Sequence, residues 1–285
     1  MAASLTFFSK KPISCPVCDE KIFREEMRTG RGRQIAGNLT RELRRNYEVS
    51  KQYGEVYPLI YPVTVCPNCY YAVFDDDFLN VPDKLLSKLE EEIPKRQEAL
   101  SDVFPELDFT QPRGLPEGVA SYVFATMCYE HFPRQFSPLF KSGLSQLRAA
   151  WLCKDLHKRR PTENFDYMAA VFYRKARYYY SRAVEGEQDG SQPLSGAKNL
   201  GPDIDKNYGY DGVLYLSGLL EFEYGPRSDP QMRRNALSRA KRTVARIFGM
   251  GKASKNKPAA ILDNARDVYE LIGKELDEGE ADPEE

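Results

Sequence analysis

Two cysteine pairs of one design, Cys15-Pro16-Val17-Cys18 and Cys66-Pro67-Asn68-Cys69, use four of the six cysteines in the chain. Two thiolates separated by two residues grip a metal ion from a single tight turn. Two such turns supply the four tetrahedral ligands of a closed structural site. The proline in each pair fixes φ and helps close the turn, so that backbone N–H groups face the sulfurs. The chain has two histidines, His131 and His157, both on expected helices far from the pairs. A four-cysteine site, Cys15, Cys18, Cys66 and Cys69, is therefore the simple tetrahedral solution. Zinc and iron both suit four thiolates. A redox dithiol needs one C-x-x-C at a helix start, whereas both pairs here sit between strand-like segments. One structural zinc ion that folds the N-terminal module is the expectation, with no ligand position open to a substrate.

Other reactive side chains read more plainly. Cys128 and Cys153 fall among apolar residues at helical positions, as buried free thiols do. His131 is expected as a capping or core histidine, and His157 as a cation in the last turn of a helix. Asp75-Asp76-Asp77 reads as a solvated turn or a helix cap. No Ser-His-Asp arrangement, phosphate-cradling glycine loop or paired-carboxylate motif is present. One expected helix carries Phe165, Tyr167, Phe172, Tyr173, Tyr178, Tyr179 and Tyr180, interleaved with Arg174, Lys175, Arg177 and Arg182. Such a stripe can stack bases. Its ordinary use is packing between helices, with the surplus on the other face free to line a peptide groove.

The elements that must position these residues fall into two styles. Over 1–80, β-branched and aromatic segments enter and leave each cysteine turn, the pattern of two rubredoxin-like knuckles. Between the knuckles lie 47 residues, 19–65, with nine basic and four acidic side chains over 21–51. This insert is the expected functional loop of the module, and 39–47 reads as one or two amphipathic turns. From about residue 82 the period becomes helical. A first helix opens at Pro82, and 101–118 reads as a Pro- and Gly-rich connection. Helices are then expected at 119–131, 138–156, 163–185, 210–224, 230–248 and 258–276. The longest loop is 186–209, 249–257 reads as a flexible basic connection, and 277–285 as a disordered acidic tail.

The spacing Ala176-x3-Tyr180-x2-Ala183 has the small–aromatic–small pattern of a tetratricopeptide helix, and Leu216-Ser217-Gly218 places small residues for close approach. The 34-residue period is not kept, so the helices read as a tetratricopeptide-like array with degenerate repeats or as an irregular helical bundle. The expected fold class is α+β, mostly α: a small β-rich zinc-ribbon-like module at 1–80, a helix and linker at 81–118, and an all-α tetratricopeptide-like array at 119–276.

Composition bounds the function. The 285 residues are 41% hydrophobic, with a net charge of −1. A sizeable core is possible, and a generic polyanion binder is disfavoured. The near-neutral total conceals a block at 231–257 with nine basic and no acidic residues, and a run at 263–285 with ten acidic and two basic ones. No apolar run approaches the roughly 20 residues that span a bilayer, and no signal peptide is read. A cytoplasmic location is expected, where C-x-x-C pairs are more often metal ligands or redox centres than structural disulfides.

The context of the second knuckle is more specific than the knuckle itself. Phe23, the arginine-bearing insert, Tyr61-Pro62-Val63-Thr64-Val65-Cys66-Pro67-Asn68-Cys69-Tyr70-Tyr71-Ala72, and Phe78 beyond it together resemble the bacterial domain-of-unknown-function 2225 family. The resemblance implies a zinc-ribbon-like module joined to tetratricopeptide-like helices, with the metal on Cys15, Cys18, Cys66 and Cys69. It implies no activity. One departure is Tyr70, where many knuckles carry a glycine in a left-handed conformation, so an altered second turn is expected.

The leading expectation for function is a non-enzymatic zinc-binding adaptor whose helices take a protein or peptide partner. Nucleic acid, RNA above all, is the alternative partner, bound through the zinc module and the basic stretches at 21–51 and 231–257. A thiol-redox or metal-dependent enzyme ranks third.

Overall fold

The computed structural model describes residues 5–30, 32–248 and 258–278. Its N-terminal part is built from four antiparallel two-stranded sheets. Strand β1 (Thr6–Phe8) pairs with β4 (Glu25–Met27), and between them the first knuckle forms a short hairpin of β2 (Ile13–Ser14) and β3 (Lys21–Ile22). The second knuckle joins β7 (Val63–Val65) to β8 (Ala72–Phe74), with Val65 opposite Ala72.

The insert differs from expectation. Residues 39–47 are not helical turns but the end of a hairpin, β5 (Ile35–Leu39) paired with a register shift to β6 (Arg45–Glu48). Thr40 closes its tip: its N–H donates to Arg44 O (2.8 Å), its carbonyl accepts from Leu43 N, and its hydroxyl accepts from Arg44 N. Leu43 takes φ 60° to make this turn. Tertiary packing of the tip, described below, outweighs the short-range amphipathic pattern.

The helices follow the expected order. They are α1 (Asp83–Glu91), α2 (Ile93–Glu98), α3 (Leu115–Tyr129), α4 (Pro138–Arg159), α5 (Phe165–Asp189), α6 (Gly209–Tyr224), α7 (Pro230–Ala245) and α8 (Ala259–Glu278). Several boundaries moved for local reasons. Pro94 at the second position of α2 forbids continuation from α1, so one expected helix becomes two. Helix α3 begins before residue 119 because Pro116 sits in the first turn, where no N–H is lost, and Glu117 Oε2 accepts from Gly114 N at 2.8 Å. Asp229 caps α7 by accepting from Met232 N at 2.9 Å. Residues 277 and 278 of the expected disordered tail close α8, whose last turns are held where Glu275 pairs with Arg233. The rest of that tail, 279–285, and the expected flexible connection at 249–257 lie outside the described residues.

Each long helix packs chiefly on its neighbours in sequence, and α4 is the hub. Every residue of α4 from Phe140 to Cys153 is buried. Close crossings are made at glycines. A Cβ on Gly118 would strike Ile60 and Leu152, and one on Gly218 would strike Val244. Buried apolar side chains form one continuous cluster from Cys15 and Val17 through α3 and α4 to Ile272. The knuckles therefore rest on the same core as the helices, with Tyr70 stacked on Phe124 of α3 at 4.8 Å.

Candidate metal centre

The same two backbone hydrogen bonds close both knuckles. In the first, Asp19 N donates to Cys15 O (2.9 Å) and Cys15 N to Glu20 O (2.8 Å). In the second, Tyr70 N donates to Cys66 O (3.0 Å) and Cys66 N to Tyr71 O (2.9 Å). The residue after each second cysteine is left-handed, Asp19 at φ 61° and Tyr70 at φ 54°. The altered second turn expected from Tyr70 is therefore not found. The backbone strain of a tyrosine there is offset by its ring, which stacks on Phe124 and meets Phe109 edge-on at 5.8 Å.

These turns aim all four sulfurs at one point. Cys15 Sγ lies 3.7 Å from Cys69 Sγ, Cys18 Sγ lies 3.5 Å from Cys66 Sγ, and all four atoms fall within 4.8 Å of one another. Metal–sulfur bonds of about 2.3 Å at tetrahedral angles separate sulfurs by about 3.8 Å, so the cluster has the size of a four-thiolate metal site. Among the described residues it is the only cluster of three or more His, Cys, Asp or Glu side chains that could hold an ion. Cys15, Cys66 and Cys69 are fully buried, and Cys18 is partly exposed.

The electrostatics favour a cation. As bare thiols the four cannot all ionise. Hydrogen bonds from the Cys15 and Cys69 thiols, aided by the N–H groups of Cys69 and Asn68, pull Cys66 far down. The hydrogen bond to Cys66 pushes Cys15 up, and the hydrogen bonds to Cys15 and Cys66, with burial, push Cys69 up strongly. A dication at the centre removes this conflict by stabilising every thiolate at once.

The second knuckle has supports that sequence reasoning missed. Arg96 of α2 is fully buried, and its guanidinium donates to Cys69 O (3.0 Å) and Leu89 O (2.7 Å). Gln97 donates to Asn68 O at 3.0 Å, and Asn68 donates to Cys18 Sγ at 3.5 Å. No spacing rule links Arg96 to a turn 27 residues earlier; the only cue is an arginine in a six-residue helix that follows the knuckle.

The remaining candidates lie elsewhere. Cys128 and Cys153 are buried, and burial pushes their thiols up to about 11 and about 12. His131 pairs with Glu92 at 2.8 Å, a satisfied histidine. Against some burial that opposes it, this pairing, with Lys95 and Lys88 nearby, holds the Glu92 carboxyl below its usual range. His157 lies in the last turn of α4 with Asp166 at 3.8 Å. Asp75 and Asp76 are exposed, but the reading of a solvated turn fails at Asp77. Asp77 is buried and accepts from Lys141 Nζ and Tyr129 OH, both at 2.6 Å. On α5, Phe165, Phe172, Tyr173 and Tyr180 are core, while Tyr167 and Tyr178 are exposed.

The insert is not a free basic loop. Its tip is seated on α4, α5 and α6, with Leu43 fully buried. The Glu42 carboxylate accepts from Trp151 Nε1 and from Tyr173 OH. Arg41 pairs with Glu223, Arg44 with Asp155, and Arg45 with Asp205. Asp203, from the loop before α6, accepts from Arg45 N at 2.8 Å.

The model of the family described as "Uncharacterized protein conserved in bacteria (DUF2225)" matches residues 8–272. A protein of Borreliella burgdorferi, itself described as uncharacterized, is 43% identical over 273 residues, covering 95% of this chain and 98% of that protein. No solved structure matches. The chain belongs to the DUF2225 family.

Proposed function

We propose that this DUF2225 protein is a non-enzymatic adaptor, in which one structural zinc ion on Cys15, Cys18, Cys66 and Cys69 fixes the N-terminal hairpins to a tetratricopeptide-like helical array that binds a protein or peptide partner. Zinc is the chosen metal because four thiolates in a closed tetrahedral set are its ordinary structural site. With four protein ligands, no position remains for a substrate or an activated water. The reading goes with a cytoplasmic, reducing location, in which the pairs stay available as thiolates. No helix among the described residues is long and apolar enough to cross a membrane.

The observation that carries the adaptor reading is the seat of the insert. The helices already hold one turn of chain, whose Leu43 is buried and whose Glu42 carboxylate is received by side chains of α4 and α5. A surface with that chemistry suits peptide recognition. The same observation weakens the nucleic-acid alternative, because Arg41, Arg44 and Arg45 spend their charge on acidic partners within the chain.

The test is capture of the tagged full chain from its own cells, with and without nuclease, washed over a range of salt. The adaptor reading expects a protein at a fixed ratio to the chain, retained after nuclease and at high salt. Recovery of nucleic acid that washes off steeply with salt would establish the alternative instead.

A further inference from the structure

The face of the helical array that the insert leaves free has a groove of its own, about 540 Å³, between α3 and α5 with α4 as its floor. We infer that this groove is the docking site for an extended peptide of a partner protein that carries an acidic side chain beside an apolar one. The inference rests on the adaptor reading and gives it a location and a ligand chemistry.

The floor is closed by a buried amide. Gln146 is only 2% exposed, its Nε2 donates to Thr126 Oγ1 at 2.9 Å, and its Oε1 has no hydrogen-bond partner. The orientation of this amide follows from the hydrogen bonds of its neighbour. Thr126 spends its own hydroxyl proton on Tyr122 O (3.0 Å), so it must accept from Gln146, which turns the amide oxygen away from it. A buried carbonyl oxygen without a donor is costly, and such groups in folded proteins are rare. That oxygen has almost no exposed surface, so Gln146 seals the floor of the groove rather than meeting a ligand.

The walls and rim supply the argument. Val123 and Met127 of α3 and Val171 of α5 make the walls largely apolar, and Tyr178, 54% exposed, stands at the edge as an aromatic anchor. Arg174 and Lys175 lie on the rim, exposed. The other two arginines of α5 have acidic partners, Arg177 with Glu221 and Arg182 with Glu185. Arg174 and Lys175 have no ion pair among the described residues, and the groove sets one acid, Glu130, against them. Two unneutralised cations beside an apolar trough favour a carboxylate next to an apolar side chain. Two cations are too few to track a nucleic-acid backbone, and the apolar walls have no role in such tracking. The array's own insert sets a precedent, since it sets the Glu42 carboxylate on Trp151 of α4 and Tyr173 of α5 beside the buried Leu43.

The test selects a phage-displayed random 12-residue peptide library on the metal-loaded full chain, then measures a synthetic peptide of the enriched sequence by fluorescence anisotropy. Wild type is expected to enrich sequences with Asp or Glu adjacent to Leu, Ile, Val or Phe. The double variant Arg174→Glu/Lys175→Glu, both surface positions, is expected to bind that peptide at least ten-fold more weakly with unchanged circular dichroism. A peptide with Lys in place of the acid should recover binding to the reversed variant. Enrichment of basic peptides, or acidic peptides whose affinity the charge reversal leaves within two-fold, overturns the groove assignment while the adaptor reading stands. So does a wild-type dimer in sedimentation that the reversal dissociates, since the groove would then hold a second copy. A protein partner captured from cells equally by wild type and by the reversed variant separates the same way, whereas capture of nucleic acid alone removes the adaptor reading itself.

Discussion

Replacing Leu43 by alanine should undo the seat of the insert, and the structure sets the size of the effect. Leu43 is fully buried at the hairpin tip, whose flanking Glu42 and Arg44 are fixed to α4 at Trp151. Truncation of such a leucine costs about 2–5 kcal/mol, from lost transfer energy and the cavity left behind. Leu43→Gly removes the same side chain, but two further effects oppose each other. Glycine relieves the left-handed backbone at φ 60°, about 1–2 kcal/mol, and loses more freedom on folding, about 0.5–1 kcal/mol. The glycine variant should therefore match the alanine variant or exceed it in stability by up to about 1.5 kcal/mol. Glu42→Ala attacks the same seat through polarity. It leaves Trp151 Nε1 and Tyr173 OH without their acceptor, at about 1–3 kcal/mol for each buried donor. Arg41→Ala is the control, since its pair with Glu223 is more than a third exposed on both sides and is worth about 0–1 kcal/mol. The assay is urea unfolding followed by tryptophan emission. Trp151 is the single tryptophan of the chain and lies beneath the tip, so its spectrum reports the seat directly. Emission should shift to the red before global unfolding in Leu43→Ala and Glu42→Ala, and in neither wild type nor Arg41→Ala. A loss under about 0.5 kcal/mol for Leu43→Ala, with unchanged emission, would mean that the insert is not held where described.

Other consequences can be checked separately. Gly118→Ala pushes a methyl into Ile60 and Leu152 and should cost about 1–3 kcal/mol in a thermal melt. Lys141→Met strands the buried Asp77 carboxylate and should cost about 3–5 kcal/mol, while adding Asp77→Asn, which keeps an acceptor for Tyr129, should recover much of it in denaturant titrations. Arg96→Lys gives up the two-armed support of Cys69 and Leu89 and should speed metal transfer to a chromogenic chelator at neutral pH. Acidification should release the metal and unfold the knuckles in one step, because protons compete for the thiolates and the unfolded chain binds more of them; stability then falls as pH falls, as a titration of bound metal against pH will register.

The elements with strong local signals were legible before the structure. The two knuckles follow from proline, cysteine spacing and flanking β-branched residues, and the long helices from their apolar period, with bounds within a few residues at α4, α6 and α7. The clustering of Cys15, Cys18, Cys66 and Cys69 was legible for the same reason, since two turns of one design present paired sulfurs that can meet. What stayed hidden depends on pairs distant in sequence. The hairpin at residues 39–47 is set by partners on α4, α5 and α6 more than a hundred residues away, which no window of sequence contains. Asp77 looks like part of a solvated acidic run until Lys141 is placed beside it. Tyr70 looks wrong for a left-handed turn until Phe124 supplies the stacking that holds it there.

The measurement that bears most directly on the whole account is the metal content of the intact protein, by elemental analysis of material prepared without chelator and by native mass spectrometry of the same sample. One zinc per chain is expected, with Cys66→Ser/Cys69→Ser carrying none. A chain that folds and melts as the wild type with no bound metal, or one that keeps its metal after Cys66 and Cys69 are replaced, would contradict the claim that these four sulfurs close on a single ion.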